Sequence, residues 1–120
     1  MCQMADIGDG RLVADIKKSY ILNIAEQAKR CDNISRVVLF GSALDTRCTE
    51  QSDIDIAVFG KRPQTEYLRS REFKEFQHRL FAFSFAQDYD ILYFCDSADN
   101  QSAIMDDILK GTEIYRKSAS

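Results

Sequence analysis

Between Asp53 and Phe59 the chain reads Asp-Ile-Asp-Ile-Ala-Val-Phe, and this stretch constrains the fold more than any other. Side chains two apart on a β-strand point to the same face, so Asp53 and Asp55 project side by side while Ile54 and Ile56 go to the opposite, buried face. A second run, Arg36-Val-Val-Leu-Phe-Gly41, is continuously apolar and rich in β-formers, the pattern of a buried strand ending on a glycine. Asp90 to Phe94 reads as a third strand, and Glu113 to Arg116 as a final edge strand.

Helical spacing fills the intervals. From Leu12 to about Ala28, apolar residues recur at Val13, Ile16, Tyr20, Ile24 and Ala28. Thr65 to about Phe85 carries Phe73, Phe76, Leu80 and Phe83 at steps of three and four, and Ser102 to Lys110 forms a short helix stopped by Gly111. The polar stretch Ser42 to Ser52 holds at most one helical turn. Helices alternating with strands in 120 residues predict an α/β (α+β) domain with one sheet, spanning residues 1–120, with residues 1–10 a mobile lead.

Composition narrows the function classes. The 16 Lys+Arg stand against 19 Asp+Glu, a net charge of -3, so bulk binding of nucleic acid through phosphates is not expected. No apolar run is long enough for a membrane span and the N-terminus lacks an export signal, which predicts a cytoplasmic protein with no membrane partner. The four cysteines (Cys2, Cys31, Cys48, Cys95) are scattered and His78 is the only histidine, so neither a structural zinc site nor a disulfide scaffold is expected.

The chemistry concentrates around the paired aspartates. Two adjacent carboxylates repel, and one is driven to protonate unless a cation sits between them. A hard divalent metal with oxygen ligands, Mg²⁺ above all, relieves that repulsion. The same alternation also suits an antiparallel strand with one wet face, so the pair alone leaves both readings open. Gly41-Ser42 adds a second feature: a glycine ending a strand allows close approach to the backbone, and the following amides and the serine hydroxyl can face a phosphate. Asp90, at the head of the third strand, is the preferred third acid; Asp88 has the same parity and competes with it.

Gly41-Ser42, a ten-residue spacer, then Ser52-Asp53-Ile54-Asp55, followed by a third strand acid, resembles the signature of the DNA polymerase beta-like nucleotidyltransferases, and the short length resembles the minimal members of that superfamily. The resemblance implies a small mixed β-sheet flanked by helices. It implies that Gly41 and Ser42 hold the phosphates of a nucleoside triphosphate, ATP being the expected one. Asp53, Asp55 and Asp90 would be both metal ligands and catalytic residues of a two-metal phosphoryl transfer: Asp53 and Asp55 would bind two Mg²⁺ ions, and Asp90 would bind the catalytic one and help activate the acceptor hydroxyl. Some minimal members pair as antitoxins with HEPN-domain toxins, which implies a separate protein partner as acceptor; a homo-oligomer is left open.

The chain departs from that pattern after Gly41-Ser42. Minimal members commonly carry arginines there, whereas this chain has Ala43-Leu44-Asp45-Thr46, with Arg47 the nearest cation. The departure keeps a second function open, a non-catalytic antitoxin-like module that acts by binding. Phe81 and Phe85, beyond the Phe73–Phe83 stripe, are surplus aromatics for a partner or a dimer. His78 and the Arg/Lys residues interleaved with Glu66, Glu72 and Glu75 read as a helix's wet side.

Overall fold

The computed structural model describes residues 3–96 and 103–117. Its elements in chain order are β1 (Met4–Asp6), β2 (Leu12–Ala14), a 3-10 turn (Asp15–Lys17), α1 (Lys18–Ala28), β3 (Ile34–Phe40), a 3-10 turn (Gly41–Leu44), β4 (Ile54–Gly60), α2 (Gln64–Tyr67), α3 (Arg71–Phe83), β5 (Tyr89–Cys95), α4 (Ala103–Leu109) and β6 (Thr112–Arg116). Cys2 and Ser102 lie outside the described residues.

The main sheet has the order β5-β4-β3-β6. It is mixed: β3 runs antiparallel to β4 and to β6, and β4 runs parallel to β5. The two apolar strands identified in the sequence are therefore the two central strands. Gly111, just past α4, sits so close to Leu39 O that a Cβ there would collide with it, which pins the α4–β6 corner to the sheet.

The sheet separates two apolar clusters of unequal size. On one side Val37, Leu39, Ile54, Ile56, Val58 and Tyr93 pack with Ile21, Ile24 and Ala28 of α1 and Phe73, Phe76 and Leu80 of α3. On the other side Val38, Phe40, Ala57 and Phe59 meet Ile108 of α4, with Met105, Leu92 and Phe94 around them. Strand alternation assigns Asp55 to this second, thinly covered side, in line with Ala57 and Phe59.

Three expectations from the sequence need correction. The periodic stretch from Leu12 is not helical at its start, because Leu12–Ala14 pairs with Met4–Asp6 and the α-helix begins only at Lys18. The same pairing places a strand inside residues 1–10, where only a lead was expected. The stretch Thr65–Phe85 is two helices, not one. Ser70 divides them: its hydroxyl donates to Tyr67 O (2.6 Å) and accepts from Phe73 N (3.1 Å), ending α2 and capping α3. Of the apolar stripe, Phe73, Phe76 and Leu80 are buried, while Phe83 is half exposed and Phe85 is 92% exposed.

Candidate active site

Register brings the acidic residues together. Asp55 of β4 lies directly opposite Phe40 of β3 on one side and Asp90 of β5 on the other. Neighbouring strands are about 4.8 Å apart and paired residues share a face, so Asp55 and Asp90 stand side by side. Asp53 immediately precedes β4 and is exposed. Burial pushes the Asp55 carboxyl up from its ordinary value, and the negative charges of Asp90 and Asp53 push it in the same direction. Among the described residues, neither Asp55 nor Asp90 has a cation or hydrogen-bond donor to offset that repulsion.

Gly41 shapes the same place. It has φ +79, in the left-handed region that disfavours side chains, and a Cβ there would collide with Asp55 Oδ2. The group that approaches this glycine's backbone is thus the Asp55 carboxylate itself. After Gly41 the chain makes the 3-10 turn, closed by Asp45 N donating to Ser42 O (3.0 Å).

Two hollows meet at Gly41. One, of about 520 Å³, is lined by Phe40, Gly41, Leu44, Asp55 and Asp90 on the sheet side and by Ile104, Asp107 and Lys110 of the α4 segment opposite. The other, of about 560 Å³, is lined by Gly41, Ser42, Asp45 and Arg47. Asp90 therefore shares a cleft with Asp55; Asp88 does not line it, and its carbonyl instead accepts from Ile54 N (3.1 Å). Asp53 lines neither hollow and contributes through its charge on Asp55.

The Ser42 side carries an ion pair between Arg47 and Asp45. Arg47 Nε and a terminal guanidinium nitrogen donate to Asp45 Oδ2 (3.0 and 2.6 Å), and Arg47 N donates to Asp45 Oδ1 (2.9 Å). That pairing holds the Asp45 carboxyl below its ordinary range.

The sequence reading did not single out Lys17, Gln87, Asp107 or Lys110. Lys17 and Gln87 are only 1% and 2% exposed. Lys17 Nζ donates to Gln87 Oε1 and to Glu50 O (3.1 Å), and Gln87 Nε2 donates to Ser52 O (3.1 Å) and Asp88 O (2.6 Å). This buried link ties together the segments that lead into β4 and β5, and so holds Asp55 and Asp90 in register. A lysine and a glutamine 70 positions apart leave no local pattern to read. Lys110 had a visible role as the last residue before a helix-stopping glycine, but no periodicity shows that it faces the strand acids.

The donor set suits a hard divalent cation: carboxylate oxygens, with a repulsion that a cation would relieve. No group of three or more His, Cys, Asp or Glu side chains among the described residues is disposed to hold a metal ion on its own.

Comparison with known proteins identifies the fold and the family. Among solved structures, the fold is similar to the toxin-antitoxin complex MntA-HepT, with TM-score 0.55 and 19% identity over 83% of this chain and 73% of that one. It is also similar to the complex of tri-AMPylated Shewanella oneidensis HEPN toxin with MNT antitoxin, with TM-score 0.53 and 18% identity over 84% and 73% of the respective chains. No curated protein sequence gives a significant match. The sequence matches the polymerase beta nucleotidyltransferase family over residues 22–120, which takes in every strand of the main sheet and all the candidate site residues. The chain belongs to the polymerase beta nucleotidyltransferase family.

Proposed function

We propose that this protein is a Mg²⁺-dependent nucleotidyltransferase that moves a nucleoside monophosphate from a nucleoside triphosphate, ATP in the first instance, to a hydroxyl on a separate protein of the HEPN-toxin kind. The observation that carries the reading is the juxtaposition of Asp55, Asp90 and Gly41 in one cleft, within a chain of this family. The complexes of similar fold, in which an MNT chain accompanies a HEPN chain and one toxin is tri-AMPylated, support the choice of acceptor.

Gly41 borders both hollows and Ser42 one of them, so that their backbone amides and the serine hydroxyl would serve the polyphosphate chain there. Asp55 and Asp90 in the cleft, with Asp53 beside them at the start of β4, would hold the metal together with substrate and water oxygens, and the metal would supply charge neutralisation at the reacting phosphate. The acceptor oxygen attacks the α-phosphorus in line. The bond from the α-phosphorus to the bridging oxygen breaks, diphosphate leaves, and Asp90 takes the hydroxyl proton. Positioning and electrostatics supply most of the rate, because phosphoryl transfer needs little covalent work from the protein. The buried Lys17–Gln87 link fixes the separation of Asp55 and Asp90 and so serves that positioning.

One observation favours a second reading, a non-catalytic antitoxin-like module. The cation nearest Gly41-Ser42 on the loop side is Arg47, and it is neutralised by Asp45. Incubation with Mg²⁺, α-labelled ATP and a HEPN-type partner separates the two. Covalent label on the partner that disappears with Asp53→Ala and Asp55→Ala supports transfer. A partner that stays unlabelled, yet is still inhibited by both variants, overturns it in favour of binding alone.

A further inference from the structure

We infer that Lys110, at the C-terminal end of α4, is the cation that binds the polyphosphate chain of the nucleotide across the cleft from Asp55 and Asp90; this rests on the nucleotidyltransferase reading above. Among the described residues, the charged ones lining that cleft are Asp55, Asp90, Asp107 and Lys110, and Lys110 is the basic one. A triphosphate entering there brings several more negative charges. A metal held by the strand acids offsets part of that charge, and a fixed donor on the opposite wall offsets more.

The loop side is poorly equipped to provide that donor. Arg47 lines the neighbouring hollow, and both its Nε and a terminal nitrogen are committed to Asp45 Oδ2. Lys110, by contrast, makes no hydrogen bond or ion pair among the described residues. Its ammonium offers three N–H donors on a flexible stem, the form in which lysine serves as a phosphate-binding point charge.

The main chain on either side of Lys110 is anchored, so the ammonium works from a fixed base. Ile108 is 2% exposed, in the apolar cluster with Phe40 and Ala57. Gly111 N donates to Ile108 O (2.9 Å), and Gly111 lies against Leu39 O with no room for a side chain. A lysine at a helix C-terminus also interacts favourably with the helix dipole. That role alone would leave nucleotide affinity untouched.

The test is calorimetric titration of ATP and of AMP, each with Mg²⁺, into the wild-type protein and the Lys110→Ala, Lys110→Arg and Asp55→Asn variants, with thermal melts to check folding. Loss of one charge-assisted phosphate contact weakens ATP about 10–100-fold in Lys110→Ala, with AMP little affected and Lys110→Arg retaining most of the affinity. In transfer assays Lys110→Ala raises KM for ATP more than it lowers kcat. If Lys110→Ala binds ATP like the wild type while Asp55→Asn loses it, the inference fails and the nucleotide site stands. Equal weakening of AMP and ATP also overturns the polyphosphate assignment. A wild-type protein that binds no ATP overturns both.

Discussion

The two faces of the main sheet are built to different standards. The face toward α1 and α3 is closed by three fully buried residues of α1 and by Phe73, Phe76 and Leu80 of α3, over Leu39, Ile56 and Val58. The face toward α4 is covered by a helix of seven residues resting mainly on Ile108, and it keeps an acidic row at its open end. On β4 the same strand serves both, because successive side chains alternate: Ile54, Ile56 and Val58 go to one face, Asp55, Ala57 and Phe59 to the other. Stability is concentrated on the first face, which leaves the second free to hold carboxylates whose mutual repulsion costs free energy.

Substitutions can break this comparison at either face. The largest effect on stability is expected from Leu80→Ala, which removes a fully buried side chain from the thick face and should cost about 2–5 kcal/mol by chemical denaturation. Residual nucleotide binding per folded molecule should be unchanged, because no cleft residue is touched. A smaller cost, about 1–2 kcal/mol, is expected from Gly41→Ala, since an alanine is held in the left-handed region and its Cβ meets the Asp55 carboxylate. Here metal-dependent binding should fall along with stability. Stability loss with binding intact would show that Asp55 does not need its present position.

The smallest effect sharpens the comparison through pH. Asp55 has its carboxyl raised in the folded protein, first by burial and then by Asp90 and Asp53. The folded state therefore holds that proton more tightly than the unfolded chain. The favourable contribution is fully present below the ordinary carboxylate value and is lost as pH rises through the raised one. Thermal melts across the acid-to-neutral range should show a decline in the wild-type protein that Asp55→Asn lacks, and added Mg²⁺ should recover stability only where Asp55 is ionised. A wild-type profile identical to that of Asp55→Asn would remove the case for repulsion at this site.

Much of the architecture was legible because it is written locally. Arg36–Gly41 and Asp53–Phe59 differ from observed strands only at their ends, and the Gly111 stop falls where α4 ends. The errors arose where a local pattern has two readings. Val13 fits a helical stripe with Ile16 and Tyr20, yet the β1 partner captures Leu12–Ala14 in a hairpin. Residues 64–83 keep helical spacing across a break that depends on two hydrogen bonds of the Ser70 hydroxyl. The aromatic surplus was visible in composition, and the structure leaves Phe85 exposed beyond the end of α3.

The sequence by itself determined which residues are candidates for the site, because the pairing of Asp53 with Asp55 and the glycine after an apolar strand are properties of strand alternation and backbone freedom. Only the tertiary structure decided which of them meet. The parallel register of β4 and β5 sets Asp90 beside Asp55, and burial of Lys17 against Gln87 holds that register from beneath. The return of α4 over the sheet sets Lys110 across the cleft, 55 positions along the chain from Asp55. Contacts of that range depend on how separate elements pack, and no periodicity within either segment encodes them.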